Sequence, residues 1–166
     1  MPPSLDRIRE LRAAGRHEEA REYLVEMAKL TPGDAEVLYE AASVHDYLDL
    51  EAEALSYYLA AIGAGLSGEN LRSAYLGLGS SYRILGRYQE SLDTFEKGLR
   101  HFPEAREFHV FSAMTYYNLG RYHEAVSVLL RVIADTTGDS NLRSYERAIR
   151  LYAGDLDMAR AKPRLL

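Results

Sequence analysis

The sequence predicts an all-α protein, a row of helix hairpins closed by one further helix. Three observations predict it. A short segment, centred on glycine in three of its four copies, returns at near-constant spacing. The apolar residues after each copy step by three and four. No comparable run alternates with period two, so no sheet is expected.

The recurring segment is Gly15-Arg16-His17-Glu18-Glu19-Ala20, then Gly86-Arg87-Tyr88-Gln89-Glu90-Ser91, then Gly120-Arg121-Tyr122-His123-Glu124-Ala125. Asp49-Leu50-Glu51-Ala52-Glu53-Ala54 is a weaker copy, and the successive spacings are 34, 37 and 34 residues. A period near 34 is that of a stacked helix-turn-helix array. Each glycine is placed to close a first helix in the left-handed conformation. The glutamates that follow fall in the first turn of a second helix, where the positive end of its dipole favours them.

Downstream, Tyr88, Leu92, Phe95 and Leu99 step by four, three and four, and Tyr122, Val126, Leu129 and Ile133 do the same. Leu55, Tyr58 and Ile62 repeat the pattern one unit earlier. Small residues at Ala42, Gly79 and Ala113, and at Ala20, Ala54, Ser91 and Ala125, let paired helices approach closely. A mid-helix glycine costs roughly 1 kcal/mol relative to alanine, so Gly77 and Gly79 require a packing reason.

Residues 72–105 carry Tyr75, Leu78-Gly79, Tyr82, Gly86, Tyr88, Ser91, Phe95 and Pro103 in an order and spacing that resembles the tetratricopeptide repeat (TPR). Residues 106–139 repeat it with His109, Ala113, Tyr116, Gly120, Tyr122, Ala125 and Leu129. Residues 1–34 keep Ile8, Leu11, Gly15, Ala20, Leu24 and Pro32, and residues 35–71 keep Leu38, Ala42, Ala54, Tyr58 and Ala61, with three extra residues before the next copy. The resemblance implies a single domain over residues 1–166, a right-handed α-solenoid of about four TPR hairpins. A capping helix over 140–153 follows, its stripe made of Leu142, Tyr145, Ile149 and Tyr152. Residues 158–166 are expected to form a frayed tail.

Composition bounds the function. There is no cysteine, hence no disulfide framework and no thiolate chemistry. The first residues have no signal-peptide core, and the most apolar stretch, Tyr57 to Leu66, is too short for a bilayer. The expectation is a cytoplasmic protein without membrane contact. The net charge of −5 is unevenly spread. Between Leu30 and Leu71 there are eight acidic residues and no lysine or arginine, whereas residues 71–166 hold 14 basic and 11 acidic side chains.

No motif carries chemistry. Gly63-Ala64-Gly65-Leu66-Ser67-Gly68 spells GxGxxG, but that fingerprint needs a strand before it, and helical periodicity precedes it here. It reads as a loosened loop between repeats. His45 and His109 occupy aromatic positions of the repeat and read as packing residues; His101 and His123 read as surface. No histidine pair has ligand spacing, no serine sits in a nucleophile elbow, and neither a metal nor a cofactor is expected. Arg143, Arg147 and Arg150, with Arg160, Lys162 and Arg164 beyond, read as a solvated cap face and not as a nucleic-acid contact.

The resemblance implies that the first helix of each hairpin lines a concave groove that binds another protein or a peptide. The inward positions are then Leu5, Arg9 and Arg12; Glu36, Tyr39, Ser43, Asp46 and Tyr47; Leu76, Ser80 and Arg83; and Val110, Met114, Tyr117 and Asn118. The clamp by which some TPR domains hold a C-terminal carboxylate maps to Leu5, Arg9, Glu40, Ser73 and Gly77. Only Arg9 suits that task, so a chaperone tail is not the expected ligand. Glu36, Glu40 and Asp46 point to a basic one. The expected function is a non-enzymatic interaction scaffold, the alternative being a regulatory sensor of a short peptide. Similarity to small free-standing bacterial TPR proteins adds a homodimer, with Leu5, Ile8, Leu11, Leu151 and Tyr152 as self-association surfaces.

Overall fold

The computed structural model describes residues 3–158; the expected frayed tail and the basic residues Arg160, Lys162 and Arg164 lie outside the described residues, Met158 excepted. The described residues contain helices and no strand. The chain divides into two compact units, Met1–Pro103 and Glu104–Leu166.

The first unit holds α1 (Leu5–Ala13), α2 (His17–Leu30), α3 (Ala35–Tyr47), α4 (Glu51–Gly63), α5 (Gly68–Ile84) and α6 (Tyr88–His101). These pair as three hairpins. Asp34 caps α3 by accepting from the amides of Glu36 and Val37 at 3.0 and 3.1 Å. The first-to-second-helix turns share one geometry. Gly15, Asp49 and Gly86 all take positive φ, between 57° and 77°. One residue later an amide reaches back five positions, Arg16 to Leu11, Leu50 to His45 and Arg87 to Tyr82, at 2.8–2.9 Å. This is the Schellman closure, and the recurring Gly-Arg segment is its sequence signature.

Two apolar clusters share the hairpins between them. Ile8, Leu11, Ala20, Leu24, Ala41 and Val44 join α1, α2 and α3. Val37, Leu38, Ala42, Ala54, Tyr58, Ala74 and Leu78 join α3, α4 and α5. Each hairpin thus buries its apolar face against a neighbour, the arrangement on which repeat stability rests. Both mid-helix glycines have their packing reason. A Cβ at Gly77 would overlap the Tyr58 ring, and one at Gly79 would overlap Phe95.

The three extra residues of the second repeat are not in a loop. The α2–α3, α4–α5 and α6–α7 connections each span four residues, and α5 is 17 residues long where α3 is 13. The insertion is absorbed as one additional turn of α5. Leu66 is buried and pins the connection, while Gly65 and Gly68 supply positive φ. The segment spelling GxGxxG follows a helix, not a strand.

The second unit holds α7 (Arg106–Asn118), α8 (Tyr122–Thr136), α9 (Ser140–Ser144) and α10 (Glu146–Gly154). α7 and α8 form the fourth hairpin, closed at Gly120 in the same left-handed turn. The closing helix expected over 140–153 is broken once, at Tyr145. Its packing face also differs from the expected one. Leu142, Tyr145 and Tyr152 are exposed, and Ala153 is the buried residue. Two polar ties set this rotation. Ser127 on α8 donates to the Ala153 carbonyl at 2.5 Å, and Arg150 pairs with Asp135 at 2.8 Å.

Candidate interaction surface

In the first unit the side chains facing out from α1, α3 and α5 form a linked polar row. Glu40 sits at its centre, almost wholly buried. Arg9 Nε and Arg12 Nη1 donate to its two carboxylate oxygens, each at 2.6 Å. Arg12 Nη2 also donates to Ser43 Oγ at 2.8 Å, and Arg9 Nη1 reaches Asp6 at 3.2 Å. Glu40, followed by Asp6, holds the Arg9 guanidinium even more firmly protonated than usual. A buried carboxylate demands such partners, since removing an unpaired charge from water costs several kcal/mol.

Glu36, one turn earlier on α3, accepts from Asn70 Nδ2 at 2.7 Å and lies 3.8 Å from Arg9 Nη2. Asn70 belongs to the added turn of α5, so the insertion places an amide opposite Glu36. At the other end of α3, Asp46 accepts from the Tyr58 hydroxyl at 2.9 Å. Tyr58 reaches it from α4, in the space that Gly77 leaves open. Burial, followed by the nearby Glu51 and Asp49 carboxylates, raises the Asp46 pKa above the ordinary carboxylate value, and the Tyr58 hydrogen bond offsets part of this. Burial beside Asp46 likewise pushes the Tyr58 phenol upward. Tyr39, between Glu36 and Asp46, is half-buried, with its ring 6.5 Å from that of Tyr58.

The row therefore brings together Arg9, Arg12, Glu36, Tyr39, Ser43 and Asp46. Ser80 and Arg83 lie half-buried on α5. Tyr47 is exposed and stacks on His17, ring centroids 3.8 Å apart, at the edge where α2 begins. In the second unit Val110 is half-buried on α7, while Met114, Tyr117 and Asn118 are exposed. Among the self-association candidates, Leu151 and Tyr152 are exposed. Ile8 and Leu11 are buried in the core of the first hairpin, so they are not available to a second copy, and Leu5 is partly buried against both apolar clusters.

His45, His101 and His123 sit as their positions predict, and His109 is half-buried. His45 is buried, its Nδ1 2.7 Å from the Ala41 carbonyl. His101 and His123 are exposed, the first stacked on Tyr75. Among the described residues no three His, Asp or Glu side chains converge as a metal site. No helix there is long and apolar enough to cross a membrane.

Sequence reasoning missed two features. One is the pairing of Arg9 and Arg12 with Glu40, which joins residues 28 and 31 positions apart. The other is a role for the arginine after each turn glycine. Arg87 lies 4.6 Å over the Tyr82 ring and donates to Glu90, and Arg121 lies 4.5 Å over Tyr116 and donates to Glu124. The recurring Gly-Arg-x-x-Glu spacing was the available signal. Glu90, through its own backbone amide and then Arg87, and Glu124, chiefly through Arg121, have lowered pKa values.

A family model for the tetratricopeptide repeat matches residues 35–156, most of the chain. The chain belongs to the tetratricopeptide-repeat family. No curated protein matches the TPR chain significantly. Solved structures do. A crystal structure of MamA superposes with a TM-score of 0.69 at 15% identity, covering 97% of this chain and all of that one. A second MamA structure gives 0.72 at 16% identity, covering 98% and 95%. YrrB, described as "a TPR protein with an unusual peptide-binding site", gives 0.67 at 18% identity over 90% of this chain and 75% of its own. At such identities the likeness concerns the fold. All three are similar to this TPR chain in the hairpin repeat that its own sequence prescribes.

Proposed function

We propose that this TPR protein is a non-enzymatic interaction module that holds a segment of another polypeptide against α1, α3 and α5 of its first unit. TPR membership supports an interaction role. YrrB, of the same fold, is described as having a peptide-binding site. The observation that carries the reading is the polar row itself. Its side chains are fixed by cross-helix hydrogen bonds before any ligand arrives, which lowers the entropy that binding must overcome. Tyr39, Ser43 and Asp46 are its contact residues, with Ser80 and Arg83 as further contact residues on α5.

The basic character of the ligand is part of this reading, though it rests on fewer residues than the sequence alone implies. Glu40 is neutralised by Arg9 and Arg12 within the chain. Glu36 and Asp46 remain as acceptors for a lysine or arginine, and a cation at Asp46 would favour the ionised form that burial disfavours. Selection from a random peptide library tests this. Enrichment of basic residues is expected, with binding lost in the Glu36→Lys, Asp46→Lys double variant. Acidic or charge-neutral winners, or unchanged affinity of that variant at low salt, would overturn it. Self-association belongs to the same reading, and Leu151 and Tyr152 are exposed at the closing helix.

A further inference from the structure

We infer that the outer stripe of α8 is a pairing surface for a second copy of this chain, the two α8 helices lying antiparallel about a twofold axis. The inference rests on the self-association just proposed and assigns it a different surface. Tyr122, Val126, Leu129 and Ile133 occupy one face of α8 and are 56%, 45%, 38% and 41% exposed. In the first unit the residues in the same repeat register on α4 are Leu55, Tyr58 and Ile62. There the next helix, α5, packs on them: Leu55 and Tyr58 join Ala74 and Leu78 in one core cluster, with Ile62 against it. The α8 face thus continues an interface that the chain already uses, and its residues stay exposed, although the Tyr117 ring of α7 meets Tyr122 with centroids 5.3 Å apart. α10 packs on Ser127 and Asp135. At about 100° per residue those positions point roughly opposite to the stripe.

The stripe also selects its occupant. It carries no charge, so a strongly charged peptide finds no counter-ion there. Its steps of four, three and four read the same in both directions. Antiparallel pairing therefore sets Val126 against Leu129 of the other copy and Tyr122 against Ile133. A twofold interface requires that self-matching. The corresponding outer face of α1 and α2 is a mixed one, its apolar residues set among ion pairs. It is lined by Pro3, Arg7, Leu11, Arg16, Glu19 and Tyr23, with Arg7 paired to Glu10 and Arg16 to Glu19. Head-to-tail stacking would press that salt-bridged face onto the bare stripe.

The test is light scattering of the full chain across a concentration series, with circular dichroism to confirm that each variant stays helical. The expected mass is twice that of the 18.7 kDa chain. Leu129→Arg or Val126→Glu alone is expected to weaken dimerisation by about a hundredfold or more, because each buries an unpaired charge. Mixing the two variants should restore a dimer, since residue 126 of one copy then faces residue 129 of the other with opposite charge. A parent that stays monomeric at every concentration would overturn both this surface and self-association. A Leu129→Arg variant that dimerises like the parent would overturn the α8 surface alone, and loss of the dimer in Tyr152→Arg instead would assign the contact to α10.

Discussion

Glu40 is the residue on which the first unit's polar row depends. Its carboxylate is 7% exposed, while its partners Arg9 and Arg12 are 45% and 21% exposed. Both arginines can reach water when the partner is lost. Glu40→Ala is therefore expected to cost about 2 kcal/mol, less than the loss of a fully buried pair, with Glu40→Gln intermediate; urea unfolding measures both. Asp46 behaves in the opposite sense. Its folded-state pKa is raised by burial, so the folded chain binds its proton more readily than the unfolded one. The contribution of this group to stability is largest below the unfolded carboxylate pKa and declines as pH rises through the folded value. Asp46→Asn removes that decline while keeping an oxygen for the Tyr58 hydroxyl. It is expected to match or exceed the parent's melting temperature at neutral pH, with the advantage vanishing in acid. A carbon-detected titration of Asp46 gives the direct check.

Among the elements, the three turns of the first unit share one backbone geometry, and one of them pays for it. Asp49 adopts the left-handed conformation with a Cβ, at φ 57°, where Gly15 and Gly86 have none. Asp49→Gly is expected to stabilise the chain by up to about 1 kcal/mol, because glycine enters this region without steric cost; thermal unfolding reads the gain. These turns were legible in the sequence, since a turn needs a particular residue at a particular place. So were the close approaches at Ala20, Ala54, Ser91 and Ala125, all buried. The orientation of α10 was not legible. Leu142, Tyr145 and Tyr152 form the larger apolar stripe, yet a serine hydroxyl and one ion pair turn the helix onto Ala153. The extra turn of α5 was hidden for a different reason. Gly68, Glu69 and Asn70 carry no apolar periodicity and follow a glycine-rich run, so local sequence cannot separate helix from loop there.

For the molecule as a whole, burial is uneven along the chain. α3 holds seven buried residues, whereas α9 holds none and α10 one. In an array stabilised by neighbour contacts, protection follows burial. Hydrogen exchange is expected to be slowest in α3 and α5 and fastest in α9 and α10; uniform protection would show a more cooperative chain than the packing allows. The family and the hairpin count were readable because repetition lets each copy corroborate the others. The polar row across α1, α3 and α5 was readable only in part. A residue's face on its own helix follows from spacing, but its partner on the next first-helix depends on how two helices thirty residues apart lie side by side. That is why Arg9 and Glu40 were each noticed and not joined.

The added turn gives α5 a step that α3 lacks, and Asn70 stands on it. A guest chain laid across α1, α3 and α5 would meet guanidinium groups at one border and a raised carboxamide at the other. Such a surface would distinguish a peptide from the same peptide written backwards, and under the proposed function the direction of the guest backbone would then depend on an insertion of three residues.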